Sequence, residues 1–271
     1  ENLAPEDRKN LASLGNELGE LEQMAGHRLF TEVMFKTINR WILIRTNNAS
    51  DDRKNFDFGT PIMQIREFFK YGSTERLKVE GRLNEEAEKF LHTVVNSLQI
   101  YKIEFEIVDE TSFRIFSQIL RSQRSIEEMI IRWNYEGSNK AGKMLMELQP
   151  FNKNCDVTII TDEDFIDDDC FFHLVKHSSG NKTFNSPQSI TGNQLTKVFE
   201  MICSGEVKSE VTIYGSSSIL IHQFFSNMNR VQRCFRLFSQ EEWIYEHRPS
   251  GAFLKFDHVM GDIWMVSMIP A

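Results

Sequence analysis

Paired cysteines, long apolar runs and basic stripes are all missing from this sequence. Its four cysteines, Cys155, Cys170, Cys203 and Cys234, stand alone, and none forms a CxxC pair. Each sits in an apolar stretch, where a thiol behaves as a small hydrophobe. The expectation is a reducing compartment, cytoplasm or nucleus, with no disulfides. No apolar run reaches the roughly 18 residues of a membrane span, and no signal peptide is visible, so no membrane partner is expected. Net charge is −8 and the pI is about 5.5. Lys and Arg are scattered between carboxylates instead of forming the stripe that neutralises phosphates, which argues against a nucleic-acid partner.

Catalytic signatures are missing as well. There is no GxxxxGK[ST], GxGxxG or GxSxG. Ser, His and Asp occur throughout, but no spacing places a nucleophile beside a base. Glu85-Glu86, Glu127-Glu128 and Glu241-Glu242 are adjacent in sequence, so their side chains point apart and read as solvated surface. His173 and His177 are four apart, with Asp169 one turn earlier, a spacing that suits two metal ligands. The general-base Glu of an HExxH site is absent, and ordinary histidines on a helix face are the simpler reading. The acidic run Glu163-Asp164-Phe165-Ile166-Asp167-Asp168-Asp169 lacks the Gly and the terminal Glu of a calcium loop. It reads as an acidic helix start or as a docking site for a basic partner. The expectation is therefore a non-enzyme with no cofactor and no metal.

What the chain has is phenylalanine, 22 in 271 residues, enough to fill the space between packed layers. It also has a repeat. Short β-rich runs lie at Trp41–Arg45, Leu77–Val79, Ile103–Ile107, Met129–Trp133, Val157–Ile160, Thr183–Asn185 and Val211–Tyr214. From the second onward they start at 77, 103, 129, 157, 183 and 211, intervals of 26 to 28 residues, the period of a leucine-rich-repeat-like array. Amphipathic helical stripes lie between them, such as Ala87, Phe90, Leu91, Val94 and Leu98, or Leu195, Val198, Phe199 and Ile202. Asn84 and Thr191 read as helix caps.

Strand and helix in strict alternation predict parallel strands with right-handed crossovers. The strands themselves alternate apolar and polar, unlike a parallel sheet covered on both faces. The predicted fold is α/β: a strand–helix solenoid over 36–228, with a parallel sheet on one face and helices on the other. Residues 1–29 read as a helical segment, and Asn47 to Asn55 as an exposed loop. Residues 229–271 read as an antiparallel β cap with turns at Pro249-Ser250-Gly251 and Gly261-Asp262. The open sheet face would carry Lys78, Glu80, Glu104, Glu106, Ile130, Arg132, Thr158, Ile160, Thr212 and Tyr214, a mixture that suits a protein partner.

The segment Leu3-Ala4-Pro5-Glu6-Asp7-Arg8-Lys9-Asn10-Leu11-Ala12-Ser13-Leu14-Gly15-Asn16-Glu17-Leu18-Gly19-Glu20-Leu21 resembles the second half of an F-box. There a leucine precedes a polar turn, then Arg-x-x-Leu, then a leucine-striped helix. The remainder resembles the F-box-associated (FTH) region of the large nematode F-box families, through segments such as Ile190-Thr191-Gly192-Asn193-Gln194-Leu195 and Val211-Thr212-Ile213. The resemblance implies a substrate-recognition adaptor of a cullin-type ubiquitin ligase. Its partners would be a Skp1-type linker protein, contacted through Leu3, Pro5, Arg8, Leu11 and Leu14, and a protein substrate held by the repeats. Gly15 and Gly19 replace the family's usual Cys or Arg, and the first half of the F-box is absent from the chain. A repeat-built interaction scaffold without a ligase link is the alternative from a different class, and an enzyme is the third.

Overall fold

Strands with one apolar and one polar face need cover on one side only, and amphipathic helices supply it. The computed structural model of the chain is a mixed α/β fold of this kind. It describes residues 29–38, 41–48, 54–56, 59–123, 125–135, 141–148, 154–161, 168–177, 179–185, 190–216, 218–228, 235–239, 243–260 and 263–271. The chain divides into two units, residues 1–127 and 128–271. Leu3, Pro5, Arg8, Leu11 and Leu14 lie outside the described residues, as do Cys234, Gly261-Asp262 and most of the acidic run.

The first unit contains β1 (Leu29–Ile38), β2 (Trp41–Asn48), β3 (Lys54–Phe56), α1 (Ile62–Phe69), β4 (Gly72–Glu80), α2 (Glu85–Ser97), β5 (Leu98–Ile107) and α3 (Glu110–Ser122). Its strands are ordered β5-β4-β1-β2-β3. β4 is parallel to both β1 and β5, while β2 is antiparallel to β1 and β3. Leu77, Val79, Ile103, Phe105 and Ile107 are buried, as are Phe90, Leu91, Phe116 and Ile119 of the helices. The Phe105 and Phe116 rings meet at 4.9 Å between centroids.

Two sequence expectations are corrected here. Leu29, placed at the end of a helical segment, opens β1, where buried Val33 and Phe35 alternate with Glu32 and Lys36. The exposed loop expected from Asn47 to Asn55 is strand at both ends, because β2 runs through Asn48 and β3 starts at Lys54. Polar composition hid the second: backbone pairing of Thr46 with Lys54 and Arg45 with Asn55 does not depend on apolar side chains.

The second unit contains β6 (Glu128–Trp133), α4 (Ala141–Met146), β7 (Asp156–Thr161), α5 (Asp168–His177), β8 (Lys182–Asn185), α6 (Gly192–Cys203), β9 (Val211–Ser216) and α7 (Ser218–Met228). Four strands follow: β10 (Phe235–Ser239), β11 (Ile244–His247), β12 (Ala252–Met260) and β13 (Ile263–Ile269). Their order is β6-β7-β8-β9-β13-β12-β11-β10. β6 to β9 are parallel, and β9 to β10 run antiparallel. The C-terminal meander thus enters at the far edge and returns until its last strand lies beside β9. One buried row crosses six strands in register: Ile131, Ile159, Phe184, Ile213, Val266 and Phe256. Phe171 of α5 meets Phe184 at 5.0 Å and Phe225 of α7 meets Phe256 at 5.2 Å, so these helices cover the face that the row presents. Each fully buried side chain in such a row contributes about 1.5–3 kcal/mol as an upper estimate.

Side chains set the helix starts. The Asn84 carboxamide oxygen accepts from the Ala87 N–H at 2.8 Å. Asp109 with Ser112 and Thr191 with Gln194 form complete capping boxes, each cap worth about 1 kcal/mol.

A second set of bonds joins neighbouring strand–helix units. Within the first unit Gly81 binds Glu106, Glu88 binds Arg114, His92 binds Gln118, and Ser125 binds Ile100, at sequence separations of 25, 26, 26 and 25. Within the second, Asn181 binds Asp156, Gln194 binds Asp168, and Lys182 binds Ser209, at separations of 25, 26 and 27.

Candidate recognition surface and two serine–base pairs

The first unit brings Lys78, Glu80, Glu104 and Glu106 to one side of its sheet and joins the first three by charge. Lys36 Nζ lies 2.9 Å from Glu80, and Lys78 Nζ lies 2.6 Å from Glu80 and 3.7 Å from Glu104. Arg76 and Glu32 are 3.7 Å apart on paired strands. The hydrogen bonds from Lys78 and then Lys36 hold the Glu80 carboxyl below the usual carboxylate range. Glu106 accepts from the Gly81 N–H at 2.7 Å. Gly81 is in the left-handed region at φ 88°, and a Cβ there would stand 2.6 Å from the Thr37 carbonyl, so only glycine fits this bend.

Alternation predicts that this side is open to solvent along its whole length. The structure corrects that at two places. Glu104 is only 5% exposed, with the Lys78 ammonium of β4 3.7 Å from its carboxylate. Phe30 and Ile100, on the same side by register, are fully buried. Phe30 meets the Phe68 and Phe69 rings at 5.7 and 5.4 Å, so α1 closes the end of the face where these strands begin. The missed signal was Phe30 itself, an aromatic at a position of outward parity.

The second unit aligns Ile130, Thr158 and Thr212 in one cross-strand row, and Arg132, Ile160 and Tyr214 in the next. The register adds residues that the sequence reading omitted. Thr183 stands between Thr158 and Thr212, Ser267 follows Thr212, and Asn185 stands between Ile160 and Tyr214. The Thr212 hydroxyl is 3.0 Å from Ser267 and 3.1 Å from Glu210, and Thr212 is buried instead of open. Most of the rest are half-buried. Strand β8 was hard to orient from sequence because Lys182 occupies a helix-facing position, in register with Val157 and Val211.

Lys182 is 2% exposed, and its Nζ binds the Ser209 hydroxyl. Burial pushes its pKa down to about 8, against the pull of Asp156. A second serine–base pair sits at the turn between β11 and β12. His247 Nδ1 and Ser250 Oγ are 2.7 Å apart, and burial pushes the His247 imidazole below its usual range. The expectation that no nucleophile lies beside a base is therefore corrected: folding assembles two such pairs. The His247-Arg248-Pro249-Ser250-Gly251 spacing was on view, but only its turn was legible.

His173 and His177 share α5, with His173 half-buried. Asp168, at the start of that helix, accepts from Gln194 at 2.5 Å. Among the described residues no group of three or more His, Cys, Asp or Glu is placed to hold a metal ion. Cys155 and Cys170 are buried free thiols and Cys203 is a half-buried one. No described helix is long and apolar enough to cross a membrane.

No protein-family model matches the chain, and no curated protein matches it.

Proposed function

We propose that this chain is the substrate-holding part of an F-box-type adaptor of a cullin-type ubiquitin ligase, and that its work is binding. Its fold on this reading is a leucine-rich-repeat-like solenoid. The observation that carries the reading is the set of side-chain bonds spanning 25 to 27 residues. Bonds at nearly the same separation tie neighbouring strand–helix units together, as a repeat array requires. Such arrays recognise partners with an extended surface, and here Arg132, Thr158, Ile160, Thr183, Asn185 and Tyr214 supply hydrogen-bonding and apolar groups on adjacent strands. The likeness of residues 3–21 to half an F-box adds the ligase link: Leu3, Pro5, Arg8, Leu11 and Leu14 would contact a Skp1-type linker.

A pull-down of this chain on a Skp1-type linker protein tests the link. Capture supports the adaptor. No capture sinks it and leaves the second reading, a repeat-built interaction scaffold without a ligase, which the same sheet surface favours equally.

A further inference from the structure

The turn between β11 and β12 carries a constellation that a binding scaffold does not need. Gly251 N–H and Ser250 N–H donate to the His247 carbonyl at 2.8 and 3.2 Å, and Gly251 adopts φ 72°. The turn is thereby fixed by its own backbone, with the imidazole and the hydroxyl on the same side. The Ser250 hydroxyl accepts from the Ala252 N–H at 3.3 Å and lies 2.7 Å from His247 Nδ1. In the neutral tautomer that carries its proton on Nε2, Nδ1 accepts from the Ser250 hydroxyl, which in turn accepts from Ala252. The Phe199 ring of α6 stands edge-on to the imidazole at 6.0 Å, and the Cys203 thiol of the same helix hydrogen-bonds with Ser250. Burial raises the Cys203 pKa, against the lowering effect of its bond to Ser250. Ser250 and His247 are both half-buried, within reach of a small reagent.

We propose that Ser250 is a covalent acyl-acceptor site, activated by His247 and taking its acyl group from small activated carboxylic esters. The Ser250 oxygen bonds to the ester carbonyl carbon while its proton passes to His247 Nδ1. The bond from that carbon to the leaving oxygen then breaks, and the leaving group takes the proton back from the imidazolium. The products are acyl-Ser250 and the free alcohol, with His247 neutral again. Release is slow. The N–H groups of Ser250 and Gly251 are spent on the His247 carbonyl and that of Ala252 on the Ser250 oxygen, so these three offer no oxyanion hole. Each missing donor costs about 100-fold or more in rate. Acylation lacks the same donors, but an activated ester supplies a good leaving group whereas hydrolysis must expel the serine alkoxide, so acyl-serine accumulates after a single turnover.

The test is incubation of the full chain with p-nitrophenyl acetate, followed by peptide mapping for acetyl groups that hydroxylamine removes. The expected result is acetylation at Ser250 ahead of all other serines. It should be absent in Ser250→Ala and slowed about 100-fold in His247→Gln, which keeps a polar side chain but not the base. Thermal melts of both variants are recorded alongside. Ser250 modified no faster than other serines, or an unchanged rate in a His247→Gln variant that melts like the wild type, overturns the proposal. If either variant fails to fold, the wild-type map decides: preference for Ser250 supports the proposal and its absence overturns it.

Discussion

The two units solve the same surface problem with different chemistry. Each has helices over an apolar sheet face, and each must make the opposite face tolerable to water. The first does so with charge, through Lys36, Lys78, Glu80 and Glu104 on three adjacent strands. The second does so with hydroxyls, placing Thr158, Thr183, Thr212 and Ser267 in one row. A charged face whose members already satisfy one another has little left to offer a partner without breaking ion pairs. Within that row Thr158 and Thr183 are half-buried, and with Ile160, Asn185 and Tyr214 beside them they can bind without that cost. On the proposed reading, structural work falls to the first surface and recognition to the second.

The largest expected effect tests what the units have in common. Phe105→Ala and Phe184→Ala each remove a fully buried ring that meets a helix. Each should cost about 3–5 kcal/mol in urea denaturation. A loss below about 1 kcal/mol for either would mean that its helix does not rely on that ring.

Lys182 breaks the pattern of the second unit, since it buries a charge where its row is otherwise apolar. Its folded pKa of about 8 lies below the ordinary lysine value of 10.5. Between those values the unfolded chain binds more protons than the folded one, so stability rises as pH increases from 8 to 10.5. Below pH 8 the penalty is present in full, roughly 3 kcal/mol at most by the pKa difference. Lys182→Met should therefore stabilise the protein at pH 7 and flatten its stability profile above pH 8. Denaturation midpoints measured from pH 7 to 10.5 check this, and a variant that is less stable at pH 7 would show that the Ser209 bond outweighs the burial.

The charged face predicts a pH response of the same sign, placed in the acid range. Glu80 has a depressed pKa, so its stabilisation is present above its unfolded value of 4.5 and is lost as pH falls through the lower folded value. Lys78→Met removes its first partner and leaves Glu104 buried without that ammonium. The expected loss is about 1–3 kcal/mol at pH 7, shrinking as Glu80 becomes protonated in acid. An equal loss at pH 3 and pH 7 would place the effect in the lysine's packing instead of its charge.

How much of this was legible depends on whether apolar residues marked it. The strands at Leu77–Val79, Met129–Trp133 and Val157–Ile160 each lie inside an observed strand, because buried side chains every second residue are a local signal. β3 has no such signal, as its Lys54-Asn55-Phe56 is held by pairing with β2. The side of each strand was legible too, but exposure was not. Glu104 is buried beside Lys78 and Phe30 by α1, both through contacts between segments distant in sequence. The serine–base pairs divide the same way. Ser250 and His247 are local and their spacing was readable, whereas Lys182 and Ser209 meet across 27 residues.

The smallest expected effect on stability is the sharpest on function. Thr183 is half-buried in the middle of the hydroxyl row, in register with Thr158 and Thr212. Thr183→Val keeps the β-branched shape that suits a strand and removes one hydroxyl, so stability should change by no more than about 0.5 kcal/mol. If the row reads a partner, that same change leaves a partner polar group unsatisfied on binding, at a cost of about 1–3 kcal/mol or roughly 5- to 100-fold in affinity. Arg76→Gln on the charged face should show the reverse, with some loss of stability and no loss of capture. Cross-linking of the wild type and both variants to a bound protein partner, with urea melts alongside, separates the two surfaces. Capture that survives Thr183→Val and fails with Arg76→Gln would reverse the assignment, and the charged ladder of the first unit would then be the recognition face.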